Sequence, residues 1–128
     1  MRYVLDTTVL MDHVIGYAAG SDVLAKLFEE TSELFACDVV SCEALSRGDA
    51  EEQRLVRNLL DALEYVATSP DAARWAGDRR RLRAEAGSRK PAVADALIAS
   101  VAWQLGATVV TRNARDFEPF GIPVLEYG

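Results

Sequence analysis

Histidine, cysteine and lysine are scarce in this chain. His13 is the only histidine, and Cys37 and Cys42 are the only cysteines. The two cysteines fit neither a zinc-ligand spacing nor Cys-x-x-Cys, which argues against a zinc site and a thiol redox centre. Both read as small buried hydrophobes. Long apolar runs are missing too. No stretch approaches the ~20 residues of a membrane span, and Met1-Arg2-Tyr3-Val4-Leu5-Asp6 meets an acid before a signal-peptide core can form. The expectation is a cytoplasmic protein with no membrane partner. Lys26 and Lys90 are the only lysines, and no repeat, low-complexity tract or long linker interrupts the chain.

What is present is a half-apolar chain of 128 residues. That is enough for one domain, residues 1–128, with a sizeable core. Short β-like runs alternate with helical ones, which points to an α/β fold with a mainly parallel sheet. Tyr3–Leu5 reads as a buried first strand and Val9–Ile15 as a short helix. Ser21 can cap a helix through Glu30 with Val23, Leu24, Leu27 and Phe28 inward. Leu34–Ala36 is a strand, and Asp38 can cap the helix that carries Glu43 and stops near Gly48. Glu51–Leu63 is helical with Leu55, Leu59, Leu60 and Leu63 inward, followed by strand Tyr65–Ala67. Ser69-Pro70-Asp71 is a strong helix start, the helix running to about Ala86. Pro91 opens the next helix, on which Val93, Leu97, Val101 and Leu105 form a stripe. Thr108–Thr111 and Ile122–Leu125 are the last strands.

Four acids stand in apolar contexts: Asp6 after the first strand, Glu43, Asp95 within Pro91-Ala-Val-Ala-Asp-Ala-Leu-Ile-Ala, and Asp116. Such acids are costly unless paired, hydrogen-bonded or bound to a cation. In parallel α/β sheets, ligands bind at the carboxyl ends of the strands. Asp6 ends the first strand, and Asn113 and Asp116 follow Thr111. The four acids therefore suggest a shared site for a hard divalent ion, Mg²⁺ with Mn²⁺ as a substitute, one or two per site. Without metal, converging carboxylates repel by up to ~4 kcal/mol per pair at 4 Å, so raised carboxylate pKa values are expected. Each acid also has an ordinary role open to it: Asp6 and Asp116 as turn caps, Glu43 as a surface helix acid, Asp95 as a first-turn partner of the helix dipole.

Tyr3-Val-Leu-Asp6-Thr7-Thr8, the isolated Glu43, Ala94-Asp95-Ala96-Leu97-Ile98-Ala99 and Thr111-Arg-Asn113-Ala-Arg-Asp116-Phe117 together resemble the PIN-domain ribonucleases, in the family's order. The similarity is greatest to the VapC-type toxins of bacterial toxin–antitoxin pairs. That family usually has Ser or Asn where this chain has Thr8. The resemblance implies a three-layer α/β/α sandwich. It implies endonucleolytic RNA cleavage dependent on Mg²⁺ or Mn²⁺, leaving a 5′-phosphate and a 3′-hydroxyl. It also implies a homodimer held inactive by a small VapB-like antitoxin within a larger complex, for which the segment from Val9 through Phe28 is the candidate groove.

On this reading Asp6, Glu43, Asp95 and Asp116 are the catalytic metal ligands, and two ions ~3.5–4 Å apart would serve an in-line displacement. Thr7, Thr111 and Asn113 would orient carboxylates or water. The net charge of −6 runs against nucleic-acid binding, but Arg74, Arg79, Arg80, Arg81, Arg83, Arg89 and Lys90 supply half of the 14 basic residues. Arg79, Arg80, Arg81, Arg83, Arg89 and Lys90 are the candidate track for the RNA backbone, with Arg112 and Arg115 beside the scissile phosphate. Trp75 and Trp103 fit core or dimer contacts better than base-stacking platforms. Two other classes stay open: a phosphatase with an aspartyl nucleophile, which lacks the second Asp at Thr8, and a metal- or protein-binding module without turnover.

Overall fold

The computed structural model describes residues 1–30 and 32–128. Among them, five strands form one all-parallel sheet in the order β3-β2-β1-β4-β5. The strands are β1 Arg2–Leu5, β2 Glu33–Cys37, β3 Glu64–Val66, β4 Thr108–Thr111 and β5 Val124–Glu126. The helices are α1 Thr7–Val14, α2 Ala18–Glu29, α3 Asp38–Leu45, α4 Ala50–Asp61, α5 Pro70–Glu85 and α6 Val93–Leu105, with a 3-10 helix at Ala114–Phe120.

The chain moves outward from β1 to β3, then returns to the other side of β1 through β4 and β5. Right-handed crossovers place the outward helices on one face and the returning ones on the other. The packing agrees: α1 meets α2, α3 and α4, while α5, α6 and the 3-10 helix pack together. The result is the expected α/β/α sandwich. Strands covered on both faces read as continuous apolar runs, and Val4, Leu5, Val109 and Val110 are fully buried.

Several local expectations shift. α2 starts at Ala18 rather than after Ser21: the Tyr17 N–H bonds the Asp12 carbonyl at 2.8 Å and turns the chain directly into the helix. Its inward residues are Gly20, Leu24 and Leu27, so Phe28, one position past that stripe, is exposed. Asp38 is not the cap of α3 but its first residue. Its Oδ1 accepts from the Val39 N–H at 3.1 Å and also from the Thr68 N–H and hydroxyl, tying α3 to the segment after β3. In α4, which starts with a capping box formed by Asp49 and Glu52, Val56 takes the central position expected of Leu55.

α6 departs most. Val93 is exposed, and the buried residues are Ala96, Ile98, Ala99, Ser100, Val101 and Ala102. A helix wedged between α5 and the sheet is covered over most of its girth, so a single apolar stripe misstates its inward face. Cys37 is buried, and that burial pushes its thiol up to about 11, but Cys42 is exposed on α3. Trp75 and Trp103 stack with centroids 5.3 Å apart on α5 and α6.

Candidate active site

The strand order reverses direction between β1 and β4, and ligands of open parallel sheets bind at such a switch point. Register decides what meets there. Leu5 pairs with Val110, and the Asp6 N–H extends the ladder onto the Val110 carbonyl at 2.9 Å. Asp6 therefore sits beside Thr111, although the two are more than a hundred residues apart.

Asp6 is buried and caps α1. Its Oδ1 accepts from the Thr7 N–H at 2.8 Å, while Oδ2 accepts from the Thr111 hydroxyl at 2.8 Å and the Thr8 hydroxyl at 3.0 Å. Burial raises its pKa; the bonds from Thr111, Thr8 and Thr7 oppose that, and Glu43 adds to it. The Thr7 hydroxyl donates to Glu43 Oε1 at 2.8 Å, joining α1 to α3. The Asn113 N–H donates to the Thr111 hydroxyl oxygen at 3.0 Å. Asp116 lies on the 3-10 helix, its N–H on the Asn113 carbonyl at 3.1 Å.

Asp95, in the first turn of α6, is pushed up to about 7 by burial first, then by Asp116, Asp6 and Glu43. The structure thus brings all four acids around one cavity of about 230 Å³, with Thr7, Thr8, Met11, Asp12, Arg47 and Arg112. Asp95 and Asp116 also border a second cavity of about 460 Å³ whose other walls include Arg83, Arg89, Lys90 and Arg115.

Not every basic candidate reaches these cavities. Arg79 lies over the Trp75 ring, Arg80 Nε donates to the Pro91 carbonyl at 2.8 Å, and Arg81 pairs with Asp78 and Glu85. A helix rotates consecutive residues by 100°, so of this run only Arg83 faces the acids. Within the Val9–Phe28 segment, Val9, Leu10, Leu24 and Leu27 belong to the core, leaving Ile15 and Phe28 as its large exposed apolar side chains. His13 is exposed, its Nδ1 3.2 Å from the Ser21 hydroxyl.

Thr8, Met11, Asp12 and Arg47 line the cavity and escaped the sequence reading in this role. Thr8 stood only as a substitution, yet it bonds Asp6. Asp12 follows Thr8 at i+4 on α1, a spacing that places the pair on one side of the helix, whereas Arg47 lies past the end of α3. That spacing was the available signal.

Among the described residues, no three His, Cys, Asp or Glu side chains are grouped closely enough to hold an ion together. The acids share an open cavity instead. The four acids offer only oxygens as ligands, and neighbouring carboxylates raise the pKa of Asp95. A set that repels itself and offers only hard ligands fits a hard divalent cation.

A model of the family described as "PIN domain" matches residues 3–121. Ribonuclease VapC19 of Mycobacterium tuberculosis (strain ATCC 25618 / H37Rv) is 30% identical over 116 residues, covering 91% of this chain and 92% of that protein. The toxin–antitoxin complex VapBC2 from Rickettsia felis, solved bound to a fragment of its promoter, superposes with a TM-score of 0.85 at 21% identity, covering 100% of both chains. DNA-bound VapBC from Salmonella typhimurium gives 0.83 at 23% identity, covering 98% of each. The structural likenesses establish a shared fold.

Proposed function

As the chain belongs to the PIN-domain family, we propose that it is the ribonuclease toxin of a VapBC-type toxin–antitoxin pair, cutting RNA endonucleolytically with divalent metal. The observation that carries this reading is the convergence of Asp6, Glu43, Asp95 and Asp116 on one cavity whose neighbour is walled by Arg83, Arg89, Lys90 and Arg115. Acids for the metal and bases for the phosphate backbone are what phosphodiester cleavage needs side by side.

Asp6, Glu43, Asp95 and Asp116 would hold Mg²⁺, with Mn²⁺ able to substitute, as one or two ions. When bound, such ions neutralise charge on the phosphate and make water more acidic. The chain's own residues do the positioning. Thr111, Thr8 and the Thr7 N–H lock both oxygens of Asp6, and Thr7 turns Glu43 toward it. Asn113 fixes the Thr111 hydroxyl from behind, so that hydroxyl donates to Asp6. Burial and the neighbouring carboxylates favour the protonated form of Asp95, and a bound cation would favour its charged form. Arg83, Arg89, Lys90 and Arg115 offer the backbone a path to the acids, and Arg112 and Arg47 stand at the cavity itself. No histidine base is called for, His13 being on the surface.

Residues 1–128 are read as one nuclease domain acting in the cytoplasm on cellular RNA. Among the described residues no helix is long and apolar enough to cross a membrane. The partners are the RNA, a VapB-like antitoxin that contacts the Ile15 and Phe28 surface, and a second copy of the chain. Incubating purified protein with structured RNA and Mg²⁺ or Mn²⁺ tests the reading. Cleavage is expected, with loss in EDTA and a drop of ~10²-fold or more in Asp6→Asn and in Asp95→Asn. Undiminished cleavage by either variant would sink the assigned site.

A further inference from the structure

Arg112 is surrounded in an unusual way for an arginine at a cluster of acids. It lines the same cavity as Asp6, Glu43, Asp95 and Asp116, yet among the described residues no ion pair joins it to any of them. Its partner is Asp12, a carboxylate outside the quartet and only 3% exposed. Arg112 Nη1 lies 3.2 Å from Asp12 Oδ1. Asp12 Oδ2 accepts from the Tyr127 hydroxyl at 2.7 Å, so both oxygens are engaged. The guanidinium carbon sits 5.2 Å above the centroid of the Tyr17 ring. Three separate segments, α1, the turn into α2 and the residue after β5, thus converge on one guanidinium.

We propose that Asp12 is a positioning residue that, with Tyr17 and Tyr127, holds the Arg112 guanidinium at the wall of the acid cavity, where its open edge takes a phosphate of the RNA.

Two physical points carry this. A guanidinium has five N–H donors, and the side chain is 43% exposed, so a large part of the fork faces outward while one corner is pinned by Asp12. A long cation left free beside four carboxylates would fold onto them and compete with any incoming cation. A buried counter-charge on the other side keeps it off, and ring stacking limits its swing. The close approach of α2 to α1 is built for this spot: a Cβ at Gly20 would fall 2.7 Å from Asp12 Cβ, inside any tolerable contact. Only a residue without a Cβ lets α2 come this close to Asp12.

The proposal rests on the ribonuclease reading, and its test separates the two. The affinity of a 5′-fluorescein single-stranded RNA is measured by anisotropy at several salt concentrations, with Ca²⁺ as a hard, oxygen-seeking ion. Cleavage with Mg²⁺ or Mn²⁺ is measured in parallel. Asp12→Asn keeps the shape of the side chain, and Tyr127→Phe removes only a hydroxyl; thermal melts check that both fold. Asp12→Asn and Arg112→Gln are each expected to weaken RNA binding roughly 3- to 10-fold and to reduce the salt slope by ~0.7, the share of one single-strand phosphate. Tyr127→Phe should move both readouts the same way by less. Because Asp12 acts through Arg112, Asp12→Asn added to Arg112→Gln should cost nothing more. A purely structural Asp12 would leave the salt slope at the wild-type value or add its full effect to that of Arg112→Gln, and either result overturns the proposal. Wild-type protein that binds RNA with the expected variant pattern but never cleaves it overturns the ribonuclease reading alone. Wild-type protein that binds no RNA overturns both.

Discussion

Asp6 and Asp95 are both carboxyls held above their ordinary range by burial, but they are compensated differently. Asp6 receives three hydrogen bonds that favour its charged form, whereas like charges on Asp116, Asp6 and Glu43 raise the pKa of Asp95 further. This difference has a measurable consequence. Asp95 moves from an ordinary 3.8 to about 7 in the folded protein, so between those values the folded chain binds more protons than the unfolded one. Stability of the metal-free protein should therefore fall as pH rises from about 4 to about 7. The loss is on the order of 1–2 kcal/mol after allowance for solvent screening. Urea midpoints in EDTA across that window should show the slope in wild type and a shallower one in Asp95→Asn. The acids themselves were legible in the sequence because a carboxylate in an apolar run is conspicuous. Thr8, Arg47 and Asp12 were not, because a hydroxyl or charge in a sequence looks the same whether it faces solvent or a cavity.

At the level of elements, helix starts with strong local chemistry read well. Ser69 caps α5 as expected, its hydroxyl accepting from the Ala72 N–H at 3.1 Å, with Pro70 at the first position. Ser69→Ala should cost ~1 kcal/mol, seen as a lower urea midpoint with an unchanged denaturant slope. Starts that depend on neighbours read poorly. α2 begins early because Asp12 and Gly20 draw it against α1, and Asp38 shares its carboxylate between the Val39 N–H and Thr68. The α6 stripe failed for the same kind of reason. Periodicity assumes one buried side, and a helix lodged between α5 and the sheet has more than one. The basic run on α5 likewise looked like one strip, but helical rotation distributes Arg79, Arg80, Arg81 and Arg83 among a tryptophan face, a carbonyl, two acids and the cavity.

Over the whole molecule, the net charge of −6 is unevenly spread, with acids gathered at the switch point and bases on the adjoining wall. Binding of a cation to the folded state alone should stabilise it by ~2.7 kcal/mol at a hundredfold excess over the dissociation constant. That corresponds to a rise of several degrees in Tm. Thermal melts with 10 mM Mg²⁺ against EDTA should show this rise in wild type and lose it in the double variant Asp6→Asn, Asp95→Asn; an equal rise in that variant would place the cation elsewhere. The sequence by itself determined the alternation of strands and helices, the buried character of β1 and β4, and the identity of the four acids. Each of these depends on short-range pattern and on the cost of charge in apolar surroundings. Only the tertiary structure decided that Asp6 lies beside Thr111, that Glu43 is tied through Thr7, and that Asp12 meets both Arg112 and Tyr127. Those pairings join residues between 36 and 115 positions apart, and strand register together with helix approach, which no local pattern encodes, brings them within bonding distance.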